Sequence, residues 1–542
     1  MPKYVIGIDY GTLSGRCVLV DVNTGDEVAE SVLNYPHAVM DEYLPNGDKL
    51  PSDYALQHPQ DYLDVLKFTV PDVLKKANAS ADMVVGMGID FTACTLLPMD
   101  KKGTPLCMKK EHEDNKHSYV KLWKHHAAQS DADEINEVAA KRGEPWLPIY
   151  GGKVSCEWAL PKILEILREA PEIYDDTYRF IEAADWLSLM LTGEETHSAP
   201  FAGYKGLWNA ETGYPSNEFM TALDSRLDGI VGTKLSTNVL GMDKIAGHIN
   251  ESGAALTGLN IGTPVSLPMI DAHAAMPALN ITDDGDLMLI VGTSACHILN
   301  SKEVKRVEGI CGYVKDGVIP GLYTYEAGQA GVGDIFDWFV KNCVPASYTE
   351  EAKEKGISIH KLLREKASKL EVGESGLLAL DWWNGNRSIL VNSNLTGMIL
   401  GMTLQTKPED IYRALIEATA YGLRVIVEQY ENSGIRINSI CAAGGIAQKD
   451  EMMMQIYADV LDREIRIAGS TQAGALGSAI YASVAANIYP DVRTAAEKLS
   501  KPDVKVYKPV KKNVNSYKLL YREYKVLHDY FGKENPVMEN LK

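Results

Sequence analysis

The chain lacks an excess of basic residues. Its 542 residues include 54 lysines and arginines against 73 aspartates and glutamates, a formal net charge of −19 at pH 7. A surface that binds nucleic acid or anionic lipid needs positive charge, so we expect no nucleic-acid partner and no membrane partner. The acidic balance does not exclude ATP, because a site can be locally positive or can use Mg²⁺.

Paired cysteines are also lacking. None of the eight cysteines belongs to a C-x-x-C pair, and Cys17 and Cys296 lie inside strand-like apolar runs. This pattern argues against a disulfide framework and against a structural zinc site. It predicts reduced, buried thiols in a cytoplasmic protein.

Long apolar runs and a P-loop are missing too. The apolar run at residues 287–299 is too short and too interrupted to cross a bilayer. The chain enters a strand-like run at residue 4, so we expect no signal peptide. No G-x-x-x-x-G-K-[ST] occurs, which excludes a P-loop nucleotide site.

Two stretches, one in each half, share a pattern. Apolar runs at residues 5–10 and 289–291 lead into Gly11-Thr12-Leu13-Ser14 and Gly292-Thr293-Ser294, and each is followed by a second apolar run. This predicts a strand, a tight turn and a second strand. Glycine lets the backbone approach a ligand, and hydroxyls with N–H groups can hold phosphate oxygens. We therefore expect a nucleotide held by two similar domains, through Gly11, Thr12, Ser14, Gly292, Thr293 and Ser294.

Periodicity and turn residues predict the other elements. Strands are expected at residues 84–90 and 438–443, and a structured loop at 202–213. Helices are expected at residues 61–76, 157–169, 181–191, 409–430 and 473–486.

Two aspartates follow strand-like runs. Asp9 stands beside the first glycine turn, where it could hold Mg²⁺ against phosphates or merely cap the turn. Asp271 follows an apolar strand between the halves. It could accept the proton of an attacking hydroxyl in phosphoryl transfer, or cap a helix that starts at Ala272.

Gly444-Gly445 follows a strand and precedes a helix, so it could admit adenine or ribose, or form a plain loop.

Further candidates are charged or aromatic residues in unusual surroundings. Lys205 and Glu326 lie among aromatic residues and glycines and could hydrogen-bond a polyol, or be ordinary loop charges. Trp123 could stack on a sugar face or belong to the core. His112 and His117 lie in a polar run without metal-ligand spacing, which predicts a solvated helix or loop.

The order of Asp9-Tyr10-Gly11-Thr12, Asp271, Gly292-Thr293-Ser294 and Gly444-Gly445 resembles the FGGY carbohydrate kinases, and the likeness covers about residues 3–490. The resemblance implies an α/β fold of two actin/hexokinase-like (ribonuclease H-like) domains. Each would be a mixed five-stranded sheet flanked by helices, with a cleft between the domains. The implied boundaries are a sugar-binding domain at 1–280, an ATP-binding domain at 281–490 and a helical extension at 491–542.

Within the family, Gly88-Ile89-Asp90-Phe91-Thr92 and Ala202-Gly203-Tyr204-Lys205 resemble the branch that uses ATP to phosphorylate L-ribulose at O5 in arabinose catabolism. The resemblance implies Mg²⁺ as cofactor, held by Asp9 and Asp271, with Asp271 also as the catalytic base. The residues that it implies for the ketopentose are Ala93, Trp123, Lys205, Asp271 and Glu326, and for the adenosine of ATP, Gly444, Gly445 and Gln448.

Two other functions stay open. One is phosphorylation of another sugar or polyol, as by a xylulokinase. The other is an actin-like or chaperone-like ATPase that uses ATP to change shape. Self-association as a homodimer is also left open by the sequence.

Overall fold

A computed structural model describes residues 2–470 and 472–541. Strands and helices alternate through most of this part of the chain. The strands are β1 Tyr4–Tyr10, β2 Ser14–Asp21, β3 Glu27–Asn34, β4 Leu56–Gln57, β5 Val84–Phe91, β6 Leu96–Met99, β7 Val120–Lys121, β8 Arg179–Glu182, β9 His197–Ser198, β10 Val239–Leu240, β11 Ile245–His248, β12 Pro264–Ser266, β13 Met269–Ile270, β14 Asp286–Val291, β15 Ala295–Ser301, β16 Gly312–Lys315, β17 Tyr323–Gln329, β18 Leu378–Leu380, β19 Met398–Leu400, β20 Ser439–Ala443, β21 Ile465–Ile467 and β22 Lys505–Tyr507.

The helices lie mainly between these strands. They are α1 Pro59–Lys76, α2 Gln129–Arg142, α3 Ala159–Glu169, α4 Pro171–Asp176, α5 Ala183–Thr192, α6 Ala199–Tyr204, α7 Asn217–Leu223, α8 Ile230–Thr233, α9 Glu251–Thr257, α10 Asp271–Ala278, α11 Gly333–Cys343, α12 Ala346–Glu354, α13 Ile359–Ala367, α14 Pro408–Asn432, α15 Gly445–Lys449, α16 Glu451–Leu461, α17 Ala473–Ala485, α18 Val492–Leu499, α19 Lys511–Asp529 and α20 Val537–Asn540.

The chain divides into two compact units. The first contains Met1–Asp283, Tyr313–Thr324 and Gln472–Lys501, and the second contains Asp284–Gly312, Tyr325–Thr471 and Pro502–Lys542. The division differs from the sequence-based boundaries, because it assigns residues 472–490 to the first unit and divides residues 491–542 between the two. The latter segment also adds a strand, β22, to its helices.

The sheet of the first unit is mixed and has the order β11-β12-β5-β1-β2-β3, with β13 also paired to β5. β1 runs antiparallel to β2 and parallel to β5, and Asp9 lies opposite Asp90 across the parallel pair. β13 is also parallel to β5, with Ile270 opposite Phe91. The carboxyl ends of β1, β5 and β13 therefore meet at one edge of the sheet, where polar side chains can leave the apolar core.

The sheet of the second unit repeats the hairpin of the first. β14 runs antiparallel to β15 and parallel to β20, with Ile290 opposite Ala443, and β20 is parallel to β21. Both predicted strand–turn–strand units are thus confirmed. The expectation of five strands per sheet is wrong at the edges, since β11 extends the first sheet beyond β12 and β22 extends the second beyond β21.

Most predicted helices are confirmed, and two segments need correction. Residues 181–191 begin as a strand, because Ile181 pairs with Leu97 before α5 starts at Ala183. The expected loop at 202–213 begins inside α6, which has Pro200 in its first turn.

The eight cysteines, all within the described part, form no disulfide; five are buried and Cys343 is exposed. None of the described helices has both the length and the apolar character that crossing a bilayer requires.

Three glycines allow helix α17 to lie directly on the first sheet. A β-carbon on Gly7 would stand 1.8 Å from the backbone oxygen of Ala475, and one on Gly88 would stand 2.2 Å from that of Ser478. Gly86 makes a similar approach, at 2.5 Å from the oxygen of Ala482. This packing explains why a helix late in the sequence belongs to the first unit.

We expect Gly7→Ala to lower the free energy of unfolding by about 3 kcal/mol or more, because helix backbone and strand backbone would have to separate. Urea denaturation of the purified variant measures this. Gly331→Ala serves as control, because its β-carbon would meet side-chain atoms no closer than 3.4 Å. Equal stability of the two variants would contradict the packing argument.

Candidate active site

The first glycine turn is held in shape by its neighbours. The Gly11 amide donates to the Ser14 carbonyl at 3.0 Å, which closes the turn between β1 and β2. The Tyr35 hydroxyl donates to the Gly11 carbonyl at 2.9 Å, and the Gln57 amide group donates to the Thr12 carbonyl at 2.8 Å. The carbonyls are thus tied into the first unit, while the Thr12 and Ser14 side chains lie at the half-buried edge of the sheet.

Four of the five predicted sugar residues lie in the first unit: Ala93, Trp123, Lys205 and Asp271. The Trp123 indole N–H donates to Thr12 Oγ1 at 3.2 Å, so a predicted sugar residue touches a predicted phosphate residue. Trp123 is 39% exposed, which argues against the core alternative. Lys205 ends helix α6, and its ammonium stands 5.7 Å from the centre of the Trp158 ring. Ala93 is half-buried in the turn after β5.

Three carboxylates gather at the carboxyl ends of the parallel strands. Asp9 and Asp90 face each other across β1 and β5, and Asp271 begins helix α10 directly after β13. Asp90 is fully buried, whereas Asp9 and Asp271 are half-buried. Asp271 is not the N-cap of helix α10, because Ile270 occupies that position and Asp271 is the first helical residue.

Burial and mutual repulsion perturb this carboxylate cluster. Burial raises the pKa of Asp9, against the lowering effects of its hydrogen bond with Asp90 and of the Arg16 charge. Burial, together with the neighbouring Asp9 and Asp271 charges, raises the pKa of Asp90 well above its usual value. The Ser478 hydroxyl opposes this shift by donating to Asp90 Oδ2 at 2.6 Å.

The amino end of helix α17 covers the carboxylate pair. A β-carbon on Gly474 would stand 3.1 Å from Asp90 Oδ1 and 3.4 Å from Asp9 Oδ2. The N-terminal end of a helix carries partial positive charge and stabilises nearby anions. Glycine at this position lets the helix backbone come close enough for this effect.

The three carboxylates have the oxygen donors that a divalent cation prefers, although among the described residues their oxygens do not form a closed group of metal ligands. Asp90 Oδ1 is buried and has no hydrogen-bond partner among the described residues. A hard cation such as Mg²⁺ prefers oxygen ligands and would offset the negative charge that one helix end and Arg16 only partly balance. Asp9 and Asp271 are accessible enough to contact such an ion. The buried Asp90 would add negative charge beside them.

In the second unit, the second turn lies at the start of helix α11. The Gly292 amide donates to the Ser294 carbonyl at 2.9 Å, and the Gly292 carbonyl accepts from the Gly333 amide at 3.0 Å. The Thr293 carbonyl accepts from the Val332 amide at 2.8 Å, and Thr293 itself is exposed. The positive end of α11 therefore lies beside a hydroxyl-bearing turn, an arrangement that can hold phosphate oxygens.

Gly444, Gly445 and Gln448 lie at the same edge of the second sheet. Gly444 has φ +97°, and a β-carbon there would stand 2.5 Å from the Val291 oxygen, so only glycine fits between β20 and the second turn. A β-carbon on Gly445 would meet nothing within 4 Å. The Gln448 side-chain amide donates to the Ser470 carbonyl at 3.2 Å, after β21. These residues can present bare backbone to a flat ligand.

The structure thus forms two groups of candidates. The first unit holds Asp9, the first turn, Ala93, Trp123, Lys205 and Asp271. The second unit holds the second turn, Gly444, Gly445 and Gln448, and also Glu326, which is buried on β17 and therefore is no ordinary loop charge.

Sequence reasoning missed two contributors. Asp90 ends its predicted strand just as Asp9 ends the first, a symmetry that could have identified it. The amino end of α11 follows Gly331-Val332-Gly333, a glycine signal before an amphipathic run. His112 and His117, expected in a solvated segment, are instead buried, and the imidazole of His112 is 2.9 Å from the Asp176 carboxylate.

We expect Asp90→Asn to raise the free energy of unfolding by about 1 kcal/mol at pH 7.5 without Mg²⁺ or nucleotide, because it removes a buried carboxyl group whose ionisation is opposed by burial and by its acidic neighbours. In the unfolded chain, Asp90 releases its proton near 3.8, and in the folded chain only at higher pH. Wild-type stability should therefore fall as the pH rises above about 4, and the variant should lose this component.

Urea denaturation at several pH values measures both effects. Asp133→Asn, an exposed helical aspartate, is the control and should change stability by less than about 0.5 kcal/mol. A destabilised Asp90→Asn variant with an unchanged pH profile would contradict the strained carboxylate cluster.

Comparison with known proteins identifies the family. The model of the N-terminal domain of the FGGY family of carbohydrate kinases matches residues 4–277, and the model of its C-terminal domain matches residues 287–486. A ribulokinase of Halalkalibacterium halodurans is 52% identical over 100% of this chain and 97% of its own length. A ribulokinase of Mycolicibacterium smegmatis is 46% identical over 100% of this chain and 96% of its own.

Solved structures agree on the fold. The xylulose kinase of Rhodospirillum rubrum superposes with a TM-score of 0.83 at 22% identity, covering 99% of this chain and 100% of its own. Plasmodium falciparum glycerol kinase with ADP gives a TM-score of 0.76 at 18% identity, over 97% and 98% of the two chains. The two-domain α/β fold of mixed sheets flanked by helices is thus confirmed, and the chain belongs to the FGGY family of carbohydrate kinases.

Proposed function

We propose that the chain transfers the γ-phosphoryl group of ATP to O5 of L-ribulose, giving L-ribulose 5-phosphate and ADP, in the cytoplasmic breakdown of arabinose. The observation that carries this proposal is the likeness, at about half of all positions and over the full length, to proteins named ribulokinase. A sugar kinase accounts for both groups of candidates, an acceptor site with carboxylates and a nucleotide site with glycine turns. A shape-changing ATPase needs the nucleotide site but no sugar site.

In this proposal the first unit binds the acceptor. Lys205 and Asp271 are half-buried and Trp123 is exposed. The Lys205 ammonium and the Trp123 indole face would suit the hydroxyls and the carbon skeleton of a ketopentose held by Asp271. Ala93 would contribute backbone from the turn after β5, and Glu326 a carboxylate from the second unit. Asp271 accepts the proton of the O5 hydroxyl as that oxygen attacks the γ-phosphorus and ADP leaves.

The second unit binds the nucleotide. The backbone at Gly444 and Gly445, with Gln448, would receive the adenosine. The hydroxyls of Thr293 and Ser294 would hold phosphate oxygens, a role that we propose also for the hydroxyls of Thr12 and Ser14. Mg²⁺, when bound through Asp9 and Asp271, would neutralise phosphate charge and orient the triphosphate.

Alignment supplies much of the rate in this reaction. Little covalent chemistry is left to the protein in phosphoryl transfer, so catalysis depends on positioning and on electrostatic stabilisation. An effective molarity of about 10⁵ M would lower the barrier by roughly 7 kcal/mol. The ordered carboxylate cluster and the two fixed turns provide rigid points for such alignment.

A coupled ADP-release assay with L-ribulose, D-xylulose, ribitol and glycerol tests the substrate. We expect the highest kcat/KM with L-ribulose, and a product phosphorylated at O5 by phosphorus-31 NMR. Preference for xylulose would indicate the alternative sugar kinase. ATP hydrolysis that no sugar stimulates would reject the kinase proposal.

We expect Asp271→Asn to lower kcat by about 10²–10⁴-fold, because the amide cannot accept the proton. The melting temperature should stay close to wild type, since the side chain keeps its size and its oxygen can still accept from the Ala272 amide. The KM for ATP should rise by much less than kcat falls, because Asp9 remains to hold Mg²⁺. Steady-state kinetics and thermal unfolding measure these quantities. Near-normal turnover would remove Asp271 from the role of base.

A further inference from the structure

Helix α3 contacts the backbone of three acceptor segments of the first unit, those that carry Ala93, Trp123 and Lys205. The amide of Ala159, its first residue, donates to the Lys205 carbonyl at 3.3 Å. The Lys162 ammonium donates to the Cys94 carbonyl at 2.6 Å and to the Leu122 carbonyl at 2.9 Å. Cys94 and Leu122 are the chain neighbours of Ala93 and Trp123. One lysine therefore joins the two segments that carry these candidates.

Lys162 is an unusual buried charge. Its side chain is fully buried, and burial lowers its pKa. Among the described residues it forms no ion pair, so backbone carbonyls, rather than a carboxylate, hold its ammonium. Lys121, equally buried, has instead the Glu165 carboxylate at 3.0 Å. The Glu182 and Glu157 carboxylates act on this ammonium only at longer range, and their charges offset part of the effect of burial. A buried ammonium that contacts backbone carbonyls and no carboxylate still costs free energy, and an apolar side chain would fill the same space at a lower cost. This cost indicates a role for the lysine beyond packing.

The turn that Lys162 holds is itself strained. Cys94 has φ +57°, a left-handed conformation that non-glycine residues rarely adopt. The turn is fixed at its other end by Thr95, whose amide donates to Glu182 Oε2 at 2.8 Å and whose hydroxyl lies 2.8 Å from that of Thr92. Such a conformation persists only where the surroundings hold it, and strained backbone of this kind is concentrated at ligand sites.

We propose that Lys162 is a positioning residue for the acceptor sugar, because its ammonium fixes the turn that carries Ala93 relative to the segment that carries Trp123. The inference rests on the proposed function, since it assumes that these two residues contact a ketopentose. Loss of the ammonium leaves the Cys94 and Leu122 carbonyls without their common donor, so the two segments can move apart. A misplacement of about 1 Å can cost an enzyme on the order of 10²-fold in rate.

The test is the kinetics of Lys162→Met, which keeps the length of the side chain and removes the ammonium. We expect the KM for L-ribulose to rise at least about tenfold and kcat/KM for L-ribulose to fall about 10²-fold. The KM for ATP should rise much less than the KM for L-ribulose, because among the nucleotide candidates only Thr12 is linked to this helix, through its hydrogen bond from Trp123. The preference for ribulose over xylulose should also decrease.

Two further variants make the test specific. Lys234→Met is the matched control, because the Lys234 ammonium also donates to backbone carbonyls, those of Tyr174 and Thr177, but these do not adjoin a candidate sugar residue. We expect it to leave the KM for ribulose unchanged. Lys162→Gln keeps two N–H donors without the charge and should recover part of the affinity for ribulose.

The outcomes separate this inference from the proposed function. If the wild-type protein phosphorylates no ketopentose, the proposed function fails. If the wild type uses ribulose and Lys162→Met keeps the wild-type KM for it, the positioning role is rejected. It is also rejected if the KM values for ribulose and ATP rise together, or if neither Lys162 variant folds, since the lysine would then serve the fold in general.

Discussion

The repulsion among buried carboxylates is the constraint on which the first unit depends. Asp9, Asp90 and Asp271 are brought together by the register of three parallel strands, and Asp90 has no access to water. A fold chosen for stability alone would not collect such charges at one edge. The amino end of α17, the Ser478 hydroxyl and the close approach at Gly474 are the features that make the cluster tolerable. A cation bound at this cluster would relieve the repulsion among the three carboxylates.

The strand ends of the second sheet carry different chemical groups from those of the first. Its hairpin turn carries no carboxylate, and its strand ends present glycines and hydroxyls beside the amino end of α11. Polar backbone groups of this kind favour a polyanion, whereas the carboxylates of the first unit favour a cation and a hydroxylated acceptor. The same strand–turn–strand unit is thus suited to a different ligand in each unit, and the side chains at the strand ends account for the difference.

Local sequence patterns predict a large part of the fold and of the candidate site. Asp9, both glycine turns and helix α14 follow from residues that are close in sequence. The role of Asp90 depends on register between strands about 80 residues apart, which periodicity does not encode. Lys162 and His117 look solvated in sequence, because charged residues are rarely buried. Their burial follows from contacts with distant segments, such as the carbonyls of Cys94 and Leu122, which only the folded chain reveals.

A crystal structure with ADP and L-ribulose bound is the most direct test of the central claim, which is that acceptor and nucleotide bind at the carboxyl ends of the two sheets. The account predicts that O5 of the sugar lies within hydrogen-bonding distance of the Asp271 carboxylate, with Ala93 and Trp123 in contact with the same molecule. It also predicts adenosine density against Gly444 and Gly445. Sugar density away from Asp271, or nucleotide away from the second glycine turn, would contradict it.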